Sequence, residues 1–201
     1  MGKFLRLLFD WLVDSFQAFF DLLFINILWL LLCLPVITAP AGTLALFATA
    51  NHLAHDRTGS WRIFWEAFRR DFWLALRWGA LNLVVIAILA SNIAFYAQYE
   101  QTWSGLVQGI FVSLGWVWGL LQLFALPLLM EQTDRRVRIA LRNSLVLWAR
   151  NPGFTLGFGL TLGASVVLIS VFFGPPWLVI GAALAAYLAN RAVLHLIADS
   201  P

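Results

Sequence analysis

Asn26-Ile27-Leu28-Trp29-Leu30-Leu31-Leu32-Cys33-Leu34-Pro35-Val36-Ile37-Thr38-Ala39-Pro40 closes an apolar run of membrane-spanning length and turns the chain over between two prolines. Proline near a helix end costs little, because the last carbonyls there already lack intrahelical partners. The run predicts a first span over about 20–37, and the reversal predicts a second helix over about 41–55. About 15 residues at 1.5 Å each rise only ~23 Å, against a hydrocarbon core of ~30 Å, so 41–55 is the weakest span in the chain.

The same character holds outward from this stretch. Hydrophobic residues make up 62% of the 201 and charged residues 11%, with mean hydropathy +0.84, whereas charged residues alone are about a quarter of a soluble domain. The class is integral membrane protein, and residues 1–201 read as one membrane domain with short loops. The pI of 9.6 comes from twelve Arg and one Lys scattered between apolar runs, a pattern of membrane loops that argues against a nucleic-acid partner. Cys33 is the sole cysteine, which excludes an intrachain disulfide and reads as packing. The first apolar run follows about twenty residues and precedes no clean cleavage pattern, so it is expected to be retained.

Along the chain, Lys3, Arg6, Asp10, Asp14, Gln17 and Asp21 recur at spacings of three and four, making 1–19 an amphipathic helix lying in the interface or a tilted extension of the first span. Further spans follow over about 72–96, 105–130, 154–173 and 177–197. Between them lie two more amphipathic segments. After Ser60, the expected N-cap, Trp61, Trp65, Phe68 and Phe72 share one face, while Arg62, Glu66 and Arg70 share another at ion-pair spacing. After Asp134, expected to cap, Val137, Leu141, Leu145 and Trp148 oppose Arg135, Arg138 and Arg142. The expected fold is all-α: a polytopic helical membrane protein with six transmembrane helices and three cytoplasmic interfacial amphipathic helices. With both termini cytoplasmic, every Lys and Arg falls on the inside, the strongest form of the positive-inside pattern. A span, a basic helix and a returning span occur twice, over 41–96 and 105–173, which reads as a parallel repeat or as ordinary bundle construction.

Chemistry-bearing groups are few. His52 and His55 stand i,i+3 on one helix, but no second cluster of Cys, His and acids accompanies them, so no metal or other cofactor is expected. There is no GxSxG elbow, phosphate loop or acid pair within the spans; no catalytic residue is assigned and no enzyme is expected. Asn26, Asn82, Gln122 and Asn190 lie within proposed spans. They line a polar path for a hydroxyl-rich solute or make helix-to-helix hydrogen bonds worth about 0.6 kcal/mol each. Trp116 and Trp118 read as packing residues or as a stacking site for sugars. Trp61, Arg62, Trp65, Arg69, Arg70, Arg135, Arg136 and Arg138 form a basic aromatic face that docks a partner or contacts anionic lipid head groups.

Asn26, Trp29, Pro35, Thr38 and Pro40, followed by Ala45-Leu46 and later Phe64, Phe68, Arg70 and Phe72, resemble the YesL-like family of small bacterial membrane proteins. In this chain Asp71 stands where that family more often has Asn, and Ala39-Pro40 replaces its Gly-Pro. The resemblance implies a multi-spanning protein of the bacterial cytoplasmic membrane without established activity, frequently encoded beside carbohydrate-uptake systems. The expected function is a non-enzymatic accessory or regulatory component of such a system, partnered by a transporter permease, by lipid or by a second copy. The alternative is a small transporter or channel for a polar solute.

Overall fold

A chain this apolar must satisfy its backbone groups internally, which selects helices. The computed structural model is helical throughout its regular structure over the residues it describes, 2–55, 59–99, 101–173 and 176–198. In order these are α1 (Gly2–Gln17), α2 (Phe19–Cys33), α3 (Ala39–Ala54), α4 (Trp61–Arg70), α5 (Phe72–Tyr96), α6 (Thr102–Met130), α7 (Val137–Arg150), α8 (Pro152–Phe173) and α9 (Pro176–Ala198). One 3-10 turn, Val36–Thr38, joins α2 to α3.

The helix expected to be the weakest span is the most enclosed. α3 packs against α2, α4, α5, α6 and α9, and Ala41, Gly42, Leu44, Ala45, Leu46 and Ala50 are all buried. Small side chains on nearly every face let several backbones approach at once. Its 16 residues rise about 24 Å, so its role is lateral contact. Where it meets α5, the Pro40 ring lies on Gly79: a Cβ added there would fall 2.5 Å from Pro40 Cγ.

Three described helices, Phe72–Tyr96, Trp103–Met130 and Ile180–Ala198, are long and apolar enough to cross a membrane. α5 buries only Ala75 while Leu83, Val84, Ile86 and Ile88 are exposed, an outside surface that suits lipid as solvent. α8 covers the expected fifth span, but the side chains of 166–173 lie outside the described residues, as do the loop positions Asp56, Arg57, Thr58, Glu100, Gly174 and Pro175.

α1 meets α2 at 80°, the geometry of a helix laid across the bundle and not of a straight extension. It buries Leu8, Trp11 and Ser15 and docks on α9. Trp11 meets His195 edge-on at 6.0 Å, and Asp14 pairs with Arg191 at 3.4 Å. α4 buries Phe64 and Ala67 and leaves Trp61 and Trp65 outside. Ser60 caps it as expected, accepting from the Ile63 N–H at 3.4 Å. Asp134 does not cap α7, whose N-cap is Arg136 without a side-chain bond; Asp134 instead pairs with Arg136 at 3.4 Å.

Gly79→Ala should lower stability by about 1–3 kcal/mol, since a rigid proline ring cannot yield to the new methyl. Gly119→Ala, where an added Cβ meets nothing within 4 Å, should be neutral or slightly stabilising. Thermal unfolding of the two variants in one detergent separates these outcomes.

Candidate functional site

Asp71 sits at the joint between α4 and α5 and is 5% exposed. Two arginines reach its carboxylate. Arg70 donates from Nη2 to Oδ2 at 2.9 Å, and Arg135, from the loop between α6 and α7, makes a close ion pair through Nη1. Arg70 thus turns to Asp71 rather than to Glu66, the partner its helical spacing offered. Arg135 holds φ at 45°, the left-handed region that costs a non-glycine residue about 1–2 kcal/mol. Burial lowers the Arg135 guanidinium from its ordinary value, with Asp71 opposing the fall and Arg70 adding to it; a guanidinium nevertheless keeps its charge in proteins. The result is a clamp of two cations on one buried anion, tying the α4–α5 joint to the start of α7. Beside it lies a cavity of about 220 Å³ lined by Asn51, His52, Glu66, Arg70 and Arg135 among others.

The four amides expected within spans divide into two groups. Asn26 and Asn190 are fully buried between α2, α3 and α9. Asn26 Oδ1 accepts from the Ala183 N–H at 2.9 Å, while Asn190 donates to the Ala186 carbonyl at 2.8 Å and accepts from Asn51 Nδ2 at 3.1 Å. Asn51 also donates to Glu131 at 2.5 Å, so a polar chain runs from the end of α6 across α3 to α9. Asn82 and Gln122 belong to the α5–α6 interface. Trp78 donates to Gln122 Oε1 at 2.8 Å, Trp118 donates to Asn82 Oδ1 at 2.9 Å, and Asn82 donates to the Trp78 carbonyl at 2.8 Å. Gln122 Nε2 is buried with no hydrogen-bond partner. His55 Nδ1 lies 2.9 Å from the Asn51 carbonyl and its Nε2 3.7 Å from Glu131. Among the described residues no three His, Cys, Asp or Glu side chains converge as a metal requires.

The expected basic aromatic face divides as well. On the outside of α4, Arg62 lies over Trp61 at 5.7 Å and Arg69 over Trp65 at 5.1 Å, cation–π contacts that hold two charges against two flat rings. Arg136 and Arg138 stand instead with Arg77 around a separate groove between α5 and α7. Arg70 and Arg135 are engaged inward by Asp71.

Residues 22–93 match the family described as "Protein of unknown function, DUF624". The YesL-like resemblance is consistent with this match. No curated protein and no solved structure matches the chain. The matched segment runs from α2 through most of α5, so it contains the central α3 and one partner of four polar contacts, through Asn26, Asn51, Asp71 and Trp78. Their partners Ala183, Asn190, Arg135 and Gln122 lie beyond it. Of the residues that carry the resemblance, Asn26, Trp29, Pro35, Thr38 and Pro40 do structural work in the α2–α3 hairpin. Asn26 anchors α9, and Trp29 donates to Thr43 Oγ1 at 3.1 Å. Pro35 and Thr38 form the turn, Thr38 Oγ1 donating to the Leu32 carbonyl at 2.5 Å with the Pro35 carbonyl at 2.8 Å, and Pro40 seats on Gly79. Asn51 and Glu131 carry no signal in the sequence, and Trp118, expected to pack or to stack on sugars, serves as an indole donor to Asn82.

Replacing one partner of a buried pair leaves the other uncompensated. Asp71→Ala should destabilise by about 2–4 kcal/mol, and Arg135→Gln should cost more than Arg136→Gln, whose side chain is 67% exposed. Unfolding midpoints measured in a common detergent check the order; equal effects of the two arginine changes would rule out the clamp.

Proposed function

We propose that this protein is a non-enzymatic component of a bacterial carbohydrate-uptake system, similar to the YesL-like proteins, held in the cytoplasmic membrane by six passages with both termini inside. The placement of every Lys and Arg between alternate apolar segments supports that orientation. In this topology α2 and α3 form a short hairpin. Its turn carries no charge, and Leu34, Val36 and Ile37 are exposed there, so the tip lies at or just beneath the outer boundary of the hydrocarbon core. The basic helices α4 and α7 then line the inner interface.

The observation that carries the accessory reading is the outward face of α4. A ten-residue helix keeps Trp61 and Trp65 outside, each under an arginine, while burying only Phe64 and Ala67. Aromatic and arginine side chains preordered together are the residue types that dominate protein interfaces. The face suits the cytoplasmic loops of a permease, with acidic or carbonyl-rich segments opposite Arg62 and Arg69. The alternative, a small carrier for a polar solute, is favoured by one observation, the unsatisfied Gln122 Nε2 at the α5–α6 interface. The other polar atoms of that cluster are occupied by Trp78 and Trp118.

Arg62→Glu with Arg69→Glu should abolish co-purification of a permease or ATPase subunit from gently solubilised native membranes while leaving the yield of the protein unchanged. Capture of the same subunit at unchanged stoichiometry sinks the docking face, and solute binding by the isolated protein supports the carrier. For the topology, a cysteine at Gln101 should react with an impermeant maleimide from outside, and one at Ala198 should not. A cysteine at Val36 should react more slowly than the one at Gln101; the reverse pattern at 101 and 198 overturns the orientation.

A further inference from the structure

The groove between α5 and α7 has a volume of about 720 Å³ and carries two kinds of surface. One wall and the floor are apolar, made by Leu74, Trp78 and Leu81 of α5 with Val137 and Leu141 of α7. The rim holds Arg77, Arg135, Arg136 and Arg138 against a single acid, Asp134. Arg135 is engaged by Asp71, which it shares with Arg70, and Arg136 pairs with Asp134 at 3.4 Å. Arg77 and Arg138, both exposed, leave the rim with surplus positive charge.

A soluble anion would satisfy the rim and leave the floor uncovered; an apolar chain would do the reverse. A glycerophospholipid does both, and the groove lies where one would stand, at the basic end of α5 with Leu83 and Val84 exposed farther along the same helix. A zwitterionic head group would bring a second cation, its ammonium, against the arginines, so the charge balance selects a lipid whose only ionised group is the phosphodiester. We propose that this groove binds one anionic phospholipid, its phosphate among Arg77, Arg136 and Arg138 and its acyl chains along Leu74, Leu81 and Leu141. The site uses the bilayer placement proposed above but not the partner on α4, which lies on a different surface.

The test is native mass spectrometry of the full chain in detergent, titrated with phosphatidylglycerol or phosphatidylcholine of identical acyl chains. A one-to-one phosphatidylglycerol adduct should survive activation that strips phosphatidylcholine. Arg77→Gln with Arg138→Gln should weaken it by about 30-fold, the loss expected for two interfacial arginines at about 1 kcal/mol each. Arg142→Gln with Arg150→Gln, on α7 but outside the groove, should leave it unchanged. Leu81→Trp, which narrows the floor without touching charge, should also weaken it. Equal retention of the two lipids overturns the proposal, as does equal loss in both arginine pairs. Displacement of phosphatidylglycerol by equimolar glycerol phosphate would assign the rim to a soluble phosphate instead. Loss of partner capture on changing Arg62 and Arg69, with lipid retention intact, bears on the docking face alone.

Discussion

Helices in a bilayer gain little from hiding apolar surface, because lipid is as apolar as leucine; they associate where small side chains let backbones close in. α3 meets that requirement on nearly all sides, with six alanines and a glycine in sixteen residues. Its shortness and its centrality have one cause. A helix enclosed by five others does not have to reach both surfaces of the bilayer by itself, and bulkier side chains would lengthen every interhelical distance around it. The Pro40 contact with Gly79 shows how little room remains: the ring fills the space that a methyl group would need.

Polar groups supply the direction that close packing lacks. Dispersion between alanines and leucines tolerates sliding and rotation, whereas a hydrogen bond at 2.9 Å from the Ala183 N–H to Asn26 does not. The same holds for Asn190 against α3 and for the two indole–amide pairs between α5 and α6. At the basic end the clamp on Asp71 does this with charge. A carboxylate at a helix joint is costly to bury, and here it is compensated by one arginine from its own helix and one from 64 residues farther along. That second arginine accepts a left-handed backbone to reach it.

These contacts also sort the arginines by task, which residue type alone could not do. Arg70 and Arg135 face inward on Asp71; Arg62 and Arg69 lie on tryptophans; Arg77, Arg136 and Arg138 surround a groove with an apolar floor. Three surfaces follow from what the expected reading treated as one.

Helical class, the approximate extents of the long apolar helices, the reversal at Pro35 and Pro40, and the Ser60 cap were all legible in the chain. Each depends on neighbours within a few residues: hydropathy over one helix length, a missing N–H, a hydroxyl three positions from a backbone donor. That Phe64 and Ala67 form the buried face of α4 was not legible, because contact with α3 selects them. The cap at Asp134 was misread for a similar reason, since the nearby Arg136 competes for its carboxylate. Which amide meets which helix, and that Arg135 meets Asp71, depend on partners 30 to 160 residues away in sequence. Sequence by itself determined that this chain must be helical and apolar, since a chain in lipid has to satisfy its backbone locally. Only the tertiary structure decided which polar side chains face one another, since those partners are brought together by packing around α3.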